Sequence, residues 1–242
     1  MALALAGGGI VYAAFTGGNA KTSASPSPTP PATKSSPSPP ATGDVACGGK
    51  VPPAAGNVKR FNEKYSEPPA MTIDQSKVYV ATMRTSCGTI EIELDPRDAP
   101  NTVNSIVFLA KQHFYDGTFF HRIVPDFVIQ GGDPTGTGKG GPGYTVVDEP
   151  PKNAQYPLGT MAMAKTATDP AGTAGSQFFI VTAASAQAAL APGGEGQYAI
   201  AGHVVGGHDV VRKIAAVPVA GPNGDTPQKK VYIEKVSITE GK

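Results

Sequence analysis

Cysteine and histidine are scarce in this 242-residue sequence, and tryptophan is absent. The two cysteines, Cys47 and Cys87, are too far apart for a zinc ribbon or a redox C-x-x-C pair. Of the four histidines, His113, His121, His203 and His208, the last two lack the carboxylate of a helical H-E-x-x-H arrangement. No metal and no cofactor is expected. An excess of one charge is lacking as well: Lys+Arg 20 against Asp+Glu 19 leaves +1. Such a chain carries no electrostatic footprint for nucleic acid. No apolar run reaches the ~18–20 residues that span a bilayer comfortably. Helix-friendly composition is missing too, because 30 Gly and 24 Pro make up about a fifth of the chain, against roughly 12% in average usage. So many breakers exclude a helical bundle or coiled coil.

What is present divides the chain into four stretches. Residues 1–21 open with an apolar run, Ala2 to Phe15, of signal-peptide length, and Gly18-Asn19-Ala20 supplies small residues for cleavage. A charged n-region is missing, so the run reads as an export signal or, with the true start upstream, as an uncleaved membrane anchor. Residues 22–43 hold seven prolines among Ser, Thr and Ala with one charge, Lys34. They are expected to form a disordered, PPII-rich spacer, reaching up to roughly 70 Å at ~3.1 Å per residue. Residues 44–76 form a polar, Pro-rich, extended lead-in. Export would place Cys47 and Cys87 where thiols tend to pair. A disulfide between them would pin the lead-in against the first hairpin; the alternative is two inert buried thiols.

From Lys77 the pattern changes to short apolar runs between turns. Residues 78–83 are β-rich, Thr85 to Gly88 is a turn, and Thr89-Ile90-Glu91-Ile92-Glu93-Leu94 alternates strictly, a hairpin with one buried face. Pro100 can open a helix whose stripe is Val103, Ile106, Val107, Ala110 and Phe114, with Gly117 as the stop. Further strands are expected near 119–124, 127–131, 159–164, 177–182, 198–205 and 231–238. A second helix fits 209–217. About eight short strands and two helices predict a mainly β fold, a closed eight-stranded antiparallel barrel capped by two α-helices.

Two segments carry the candidate chemistry. Phe119 to Asp133, FFHRIVPDFVIQGGD, places Arg122, Phe127 and Gln130 within nine residues. Gly175 to Thr182, GSQFFIVT, puts Gln177 and Phe179 on one strand face. Phenylalanines in strands are ordinary core, but an arginine and two glutamines among them need a reason. A serine hydrolase on Ser176 and His203 is disfavoured because Ser176 sits in Ala-Gly-Ser-Gln, not G-x-S-x-G. A P-loop at 136–141 lacks its required Gly and Ser/Thr positions. His121 reads as a structural histidine.

FFHRIVPDFVIQGGD, the Gly-rich TGTGKGGPGY and GSQFFI together resemble the cyclophilin family of peptidyl-prolyl isomerases, over roughly 77–240. The family fold is the eight-stranded barrel with two capping helices. Residue by residue, the resemblance implies Arg122 as the catalytic arginine and Gln130 as the glutamine that orders it and contacts the peptide. It implies Phe127, Val128, Phe179 and Leu190 as the proline-ring pocket, and Ala164 and Lys165 as a strand edge that pairs with substrate, flanked by Gln177. Tyr198 stands where many members have His. Departures are Val128 for a common Met, Lys165 for a common Asn, Ala201 for a frequent aromatic, and no Trp near 187–190. These bear on fine specificity and drug affinity rather than on the reaction. The implied function is isomerisation of X–Pro bonds in extracytoplasmic clients, without cofactor or covalent intermediate. The alternative is a binding module of the same fold that holds Pro-containing segments. The implied partners are such peptide segments, with membrane association through the N-terminus and a monomeric isomerase domain. The expected location is the bacterial cell envelope, membrane-anchored or secreted.

Overall fold

Strict alternation produces a two-faced strand in β2 (Gly88–Leu94), where Ile90, Ile92 and Leu94 are buried and Thr89, Glu91 and Glu93 are exposed. Its antiparallel neighbour β1 (Tyr79–Thr85) sets Met83 against Ile90, Ala81 against Ile92 and Tyr79 against Leu94. Directly opposed residues share a face, so this register aims both apolar sets inward. The computed structural model describes residues 44–148, 150, 153–191 and 196–241. The expected apolar leader at 1–21 and the Pro-rich spacer at 22–43 lie outside these residues.

The remaining strands are β3 (Phe119–Phe120), β4 (Arg122–Val124), β5 (Val128–Gly131), β6 (Val146–Val147), β7 (Thr160–Met163), β8 (Thr173–Ala174), β9 (Phe178–Val181), β10 (Ile200–Gly206), β11 (Val219–Ala220), β12 (Thr226–Pro227) and β13 (Val231–Glu240). Seven of them join β1 and β2 in one nine-stranded sheet, in the order β3-β13-β1-β2-β10-β7-β9-β5-β4. Its two ends, β3 and β4, are consecutive pieces of chain separated only by His121. The His121 N–H donates to the Gln130 carbonyl of β5 at 3.1 Å, so the sheet closes on itself. Counted as one interrupted strand, β3 and β4 bring the barrel to the eight strands expected. The ribbons β6–β8 and β11–β12 lie outside the barrel sheet, and their two-residue strands are too short to carry a period.

Helix α1 (Pro100–Lys111) begins with Pro100, whose missing N–H costs nothing at a helix start. Its N-terminal residue side chains supply no cap. The Asp148 carboxylate does, accepting the Thr102 N–H at 2.6 Å from 46 residues away. The helix ends earlier than expected: His113 turns left-handed at φ 57°, and the Phe114 N–H reaches back to the Leu109 carbonyl. Phe114 therefore still enters the core. Gly117 serves a different purpose, because a Cβ there would meet the Ala54–Ala55 backbone at 2.5 Å. Helix α2 (Gln187–Leu190), a single turn, was not anticipated; α3 (His208–Ala215) buries Val210, Val211 and Ile214.

Residues 44–76 are more structured than an extended lead-in. They contain 3-10 turns at Ala46–Gly48, Pro53–Gly56 and Val58–Phe61, and they bury Val45, Ala46, Val58 and Phe61. The Phe61 ring packs 5.6 Å from Phe114, which continues to Tyr115 and then Phe178 at 5.4 and 6.2 Å. Burial of one such side chain is worth ~1.5–3 kcal/mol, which a turn-rich segment needs in order to stay seated. Cys47 and Cys87 are joined by a disulfide, Cα–Cα 5.1 Å, closing a 40-residue separation onto the β1–β2 turn. On the chain-entropy estimate a loop of that size is worth about 4 kcal/mol.

Candidate active site

The hairpin of β4 and β5 is centred on Asp126, which takes a left-handed conformation at φ 54°. Pairing runs Arg122 to Gln130, Ile123 to Ile129 and Val124 to Val128. Next, β5 pairs Gln130 with Phe179 of β9, and β9 pairs Phe179 with Ala162 of β7. Arg122, Gln130, Phe179 and Ala162 thus form one row across four strands. The neighbouring row, Ile123, Ile129, Ile180 and Met161, points into the barrel core. The first row therefore lies on the outside of the barrel wall.

That outer face has its own apolar cluster, separate from the barrel core. It contains Val128, Phe179, Leu190 and Tyr198, with half-buried Phe127 and Ala164 packed against it. Burial on both sides explains why β9 reads FFIV with no alternation. Phe179, Val128 and Leu190 form a closed floor with 0% exposure, while Phe127 and Ala164 stand at the rim. The Tyr198 ring meets Phe179 edge-on at 5.2 Å, and burial pushes the Tyr198 phenol up. Leu190 is carried there by α2, which Gln187 pins by accepting the Tyr156 N–H and donating to the Ala154 carbonyl.

Arg122 sits at the end of this floor. Its Nε donates to Asp225 Oδ2 at 2.9 Å and its Nη1 to Gln130 Oε1 at 3.4 Å. The side chain is 24% exposed and that of Asp225 17%, so the pair is partly shielded. Nη2 has no partner among the described residues. Gln130 Nε2 donates to Gln177 Oε1 at 3.1 Å, and Gln177 Nε2 donates to the Gly140 carbonyl at 2.9 Å. Gly140 belongs to the Gly-rich loop, which wraps the buried Asp133 carboxylate. That carboxylate accepts N–H groups from Thr135, Thr137, Gly138 and Gly140. Burial raises the Asp133 carboxyl, but hydrogen bonds from the Thr135 hydroxyl and from the Thr135 and Gly140 N–H groups, with His121 nearby, outweigh it and leave the group below its ordinary value.

Neighbouring His121 has both ring nitrogens buried without a hydrogen-bond partner among the described residues. Burial holds it below its ordinary value, Arg122 adds to that, and Asp133 and Asp225 oppose it. The ring is packed, but it is not the satisfied structural histidine that the sequence suggests, because neither nitrogen finds a partner among the described residues.

The structure brings nine of the ten expected catalytic and substrate-site residues to this face through the row, the cluster and the amide relay. Lys165 is the tenth, and its side chain folds back. Its Nζ donates to the Thr166 and Asp169 carbonyls and lies 5.8 Å from the Tyr198 ring centroid. The Ala164 N–H is already committed to the Gln177 carbonyl at 2.9 Å. Sequence reasoning missed Asp225, which arrives from the turn between β11 and β12, and the Asp133-centred loop, whose polar contacts are set by folding. A cleft of about 260 Å³ between the Pro125–Asp126 turn and α3 contains none of the Arg122 network. Its lining sets the charged Asp126 and Arg212 beside Leu158 and Val211, and none of these residues belongs to the Arg122 row or its amide relay.

Comparison with known proteins agrees with this geometry. The chain matches the cyclophilin type peptidyl-prolyl cis-trans isomerase/CLD family over residues 80–238. It is 40% identical over 177 residues to peptidyl-prolyl cis-trans isomerase B of Streptomyces anulatus, covering 65% of this chain and 95% of that one. It is 37% identical over 169 residues to peptidyl-prolyl cis-trans isomerase-like 2 of Cryptococcus neoformans, covering 69% of this chain. The match spans only 28% of that longer relative. A cyclophilin type isomerase of Cryptosporidium parvum, crystallised in the presence of the dipeptide Ala-Pro, superposes with a TM-score of 0.58 at 30% identity. That match covers 66% of this chain and 98% of the other. The chain belongs to the cyclophilin-type peptidyl-prolyl cis-trans isomerase family.

Proposed function

We propose that this barrel catalyses cis–trans isomerisation of X–Pro peptide bonds, and that its clients are extracytoplasmic proteins. The observation that carries the reading is the Arg122–Gln130–Phe179–Ala162 row, which sets a guanidinium held on one edge beside an apolar floor. Rotation about an X–Pro bond breaks amide resonance, against a barrier of ~18–20 kcal/mol. Uncatalysed exchange takes tens to hundreds of seconds. Reaching ~10³ s⁻¹ requires a gain of about 10⁵, or ~7 kcal/mol.

No bond to the substrate forms or breaks, so the site has only to favour the twisted amide. In that state the prolyl nitrogen regains a lone pair, which the Arg122 guanidinium can meet with a hydrogen bond. The planar ground state offers no such acceptor, so the interaction falls on the transition state. Asp225 and Gln130 hold Nε and Nη1 and thereby fix the plane in which Nη2 is presented. The Phe179–Val128 floor would grip the ring and exclude water, which strengthens the charged contact.

The test is NMR exchange spectroscopy on an Ala-Pro peptide with the full chain. Catalysed exchange supports the reading; binding without exchange would favour the holding module instead. Extracytoplasmic placement is supported by the apolar leader at 1–21 and by the Cys47–Cys87 bridge, which suits an oxidising compartment. Fractionation of a bacterial host, with alkylation before reduction, tests it. Cytosolic protein with two free thiols would overturn the placement.

A further inference from the structure

The strap formed by residues 45–65 touches the Gly-rich loop at a single place. Asn62 Oδ1 accepts the Gly141 N–H at 3.1 Å, the Glu63 N–H donates to the Gly141 carbonyl at 2.9 Å, and the Tyr65 N–H donates to the Pro142 carbonyl at 2.9 Å. Glu63 takes a left-handed conformation, φ 53°, that a glutamate rarely adopts, and it lies within this contact. The strap itself is fixed at both ends. Its start carries the Cys47–Cys87 bridge and pairs with Lys230, and its end is seated by Phe61 against Phe114. All of it lies before residue 80, where the family match begins.

The Gly141 N–H and the Gly140 carbonyl belong to one peptide plane. Asn62 holds that plane from the N–H side, and on the other side its carbonyl accepts Gln177 Nε2. Glycine on both sides makes the plane intrinsically free to turn over. Its orientation has consequences beyond the loop, because a carboxamide has one donor end and one acceptor end. With the carbonyl toward Gln177, that side chain must present Oε1 to Gln130. Gln130 must then present Oε1 to Arg122. A turned-over peptide would offer Gln177 a donor instead. Both amides would then have to reverse, leaving the Gln130 NH₂ facing the guanidinium, donor against donor.

We propose that Asn62 is a positioning residue for the isomerase reaction: it locks the Gly140–Gly141 peptide and so sets the polarity of the Gln177–Gln130 relay that orients Arg122. This rests on the isomerase reading above, and the readouts are chosen to separate the two. In the full chain, Asn62→Ala and Asn62→Asp are compared with the parent in three measurements: hydrogen exchange of the Gly141 amide, the NMR shift of the Arg122 Nε–H, and kcat and KM for an Ala-Pro peptide. Losing one hydrogen bond of this kind corresponds to about three- to tenfold. The expected result for Asn62→Ala is Gly141 exchange faster by that factor, a displaced Arg122 Nε–H signal, and kcat reduced three- to tenfold with KM changed less. Asn62→Asp keeps an acceptor in the same place and should recover all three to within about twofold.

Unchanged Gly141 exchange and an unmoved Arg122 signal in folded Asn62→Ala would overturn the proposal, as would loss in Asn62→Asp equal to that in Asn62→Ala. If Asn62→Ala does not fold, the aspartate variant decides: parental exchange and Arg122 signal support the lock, and displaced ones refute it. An inactive parent would sink the isomerase reading, while exchange and the Nε–H shift would still test the lock.

Discussion

Removing the Arg122 guanidinium should separate turnover from binding. In Arg122→Ala the row keeps Phe179 and Ala162, so the floor that would hold a proline ring is intact. What disappears is the donor offered to the twisted amide. Removal of one preorganised donor of this kind costs roughly 2.7–4 kcal/mol, or 10²–10³ in kcat. A smaller penalty falls on the fold. Asp225, 17% exposed at its side chain, loses its Nε partner at 2.9 Å, and Gln130 loses its weaker contact at 3.4 Å. Leaving such a partly shielded acceptor unpaired costs about 1–3 kcal/mol at most. At ~2–4 °C per kcal/mol for a chain of this size, the melting temperature should fall by no more than about 12 °C. The assay is NMR exchange on an Ala-Pro peptide at 10 °C, well below any such transition, with thermal melts and peptide titration alongside. Arg122→Lys should rescue poorly, because a single ammonium cannot hold Asp225 and Gln130 in one plane while pointing a third donor outward. If folded Arg122→Ala stays within about threefold of the parent, the donor argument is wrong.

Asp225→Ala should leave the charge of Arg122 in place but free its Nε edge. The expected cost is about three- to tenfold in kcat, with a shifted Arg122 Nε–H resonance, and an unmoved resonance would count against a positioning part for Asp225. Phe179→Ala should act on stability and KM together, because Phe179 is both floor and packing. A loss of about 3–5 kcal/mol is expected by chemical denaturation, and a loss below 1 kcal/mol would contradict its burial. Stability should also fall in two stages on acidification. His121 is held below its ordinary 6.5, so unfolding lets it bind a proton, and stability declines as pH drops from about 6.5 toward the folded value. Asp133 is held below its ordinary 3.8, so its contribution is present above that pH and is lost as pH falls through the folded value. Melting temperatures from pH 7 to pH 3 test both, and a flat profile between pH 6.5 and 5 would refute the first stage. His121→Gln should remove that stage and leave the second.

The barrel was readable where one face is wet, because exposure on one side writes a period of two into Thr89–Leu94 and a helical stripe of Val210, Val211 and Ile214 into α3. It was least readable at the site itself, for the same reason inverted. β9 is buried on both faces, so Phe178 to Val181 could not say which side chains face the core and which the outer floor. The even spacing of Arg122 and Gln130 was visible, but it becomes a cross-strand pair only because the hairpin turns about Asp126, and residue parity alone cannot locate that centre. The resemblance supplied Arg122, Gln130 and the pocket; it supplied neither Asp225, 103 residues from Arg122, nor Asn62, 79 residues from Gly141. Burial leaves a local, periodic trace because each residue meets the same solvent boundary as its neighbours one turn or two positions away. A polar relay leaves none, since donor and acceptor need only meet once and the chain between them is free to vary. The residues that orient Arg122 are therefore the ones local patterning cannot supply, and they become visible when each buried donor is followed to its acceptor in the folded chain.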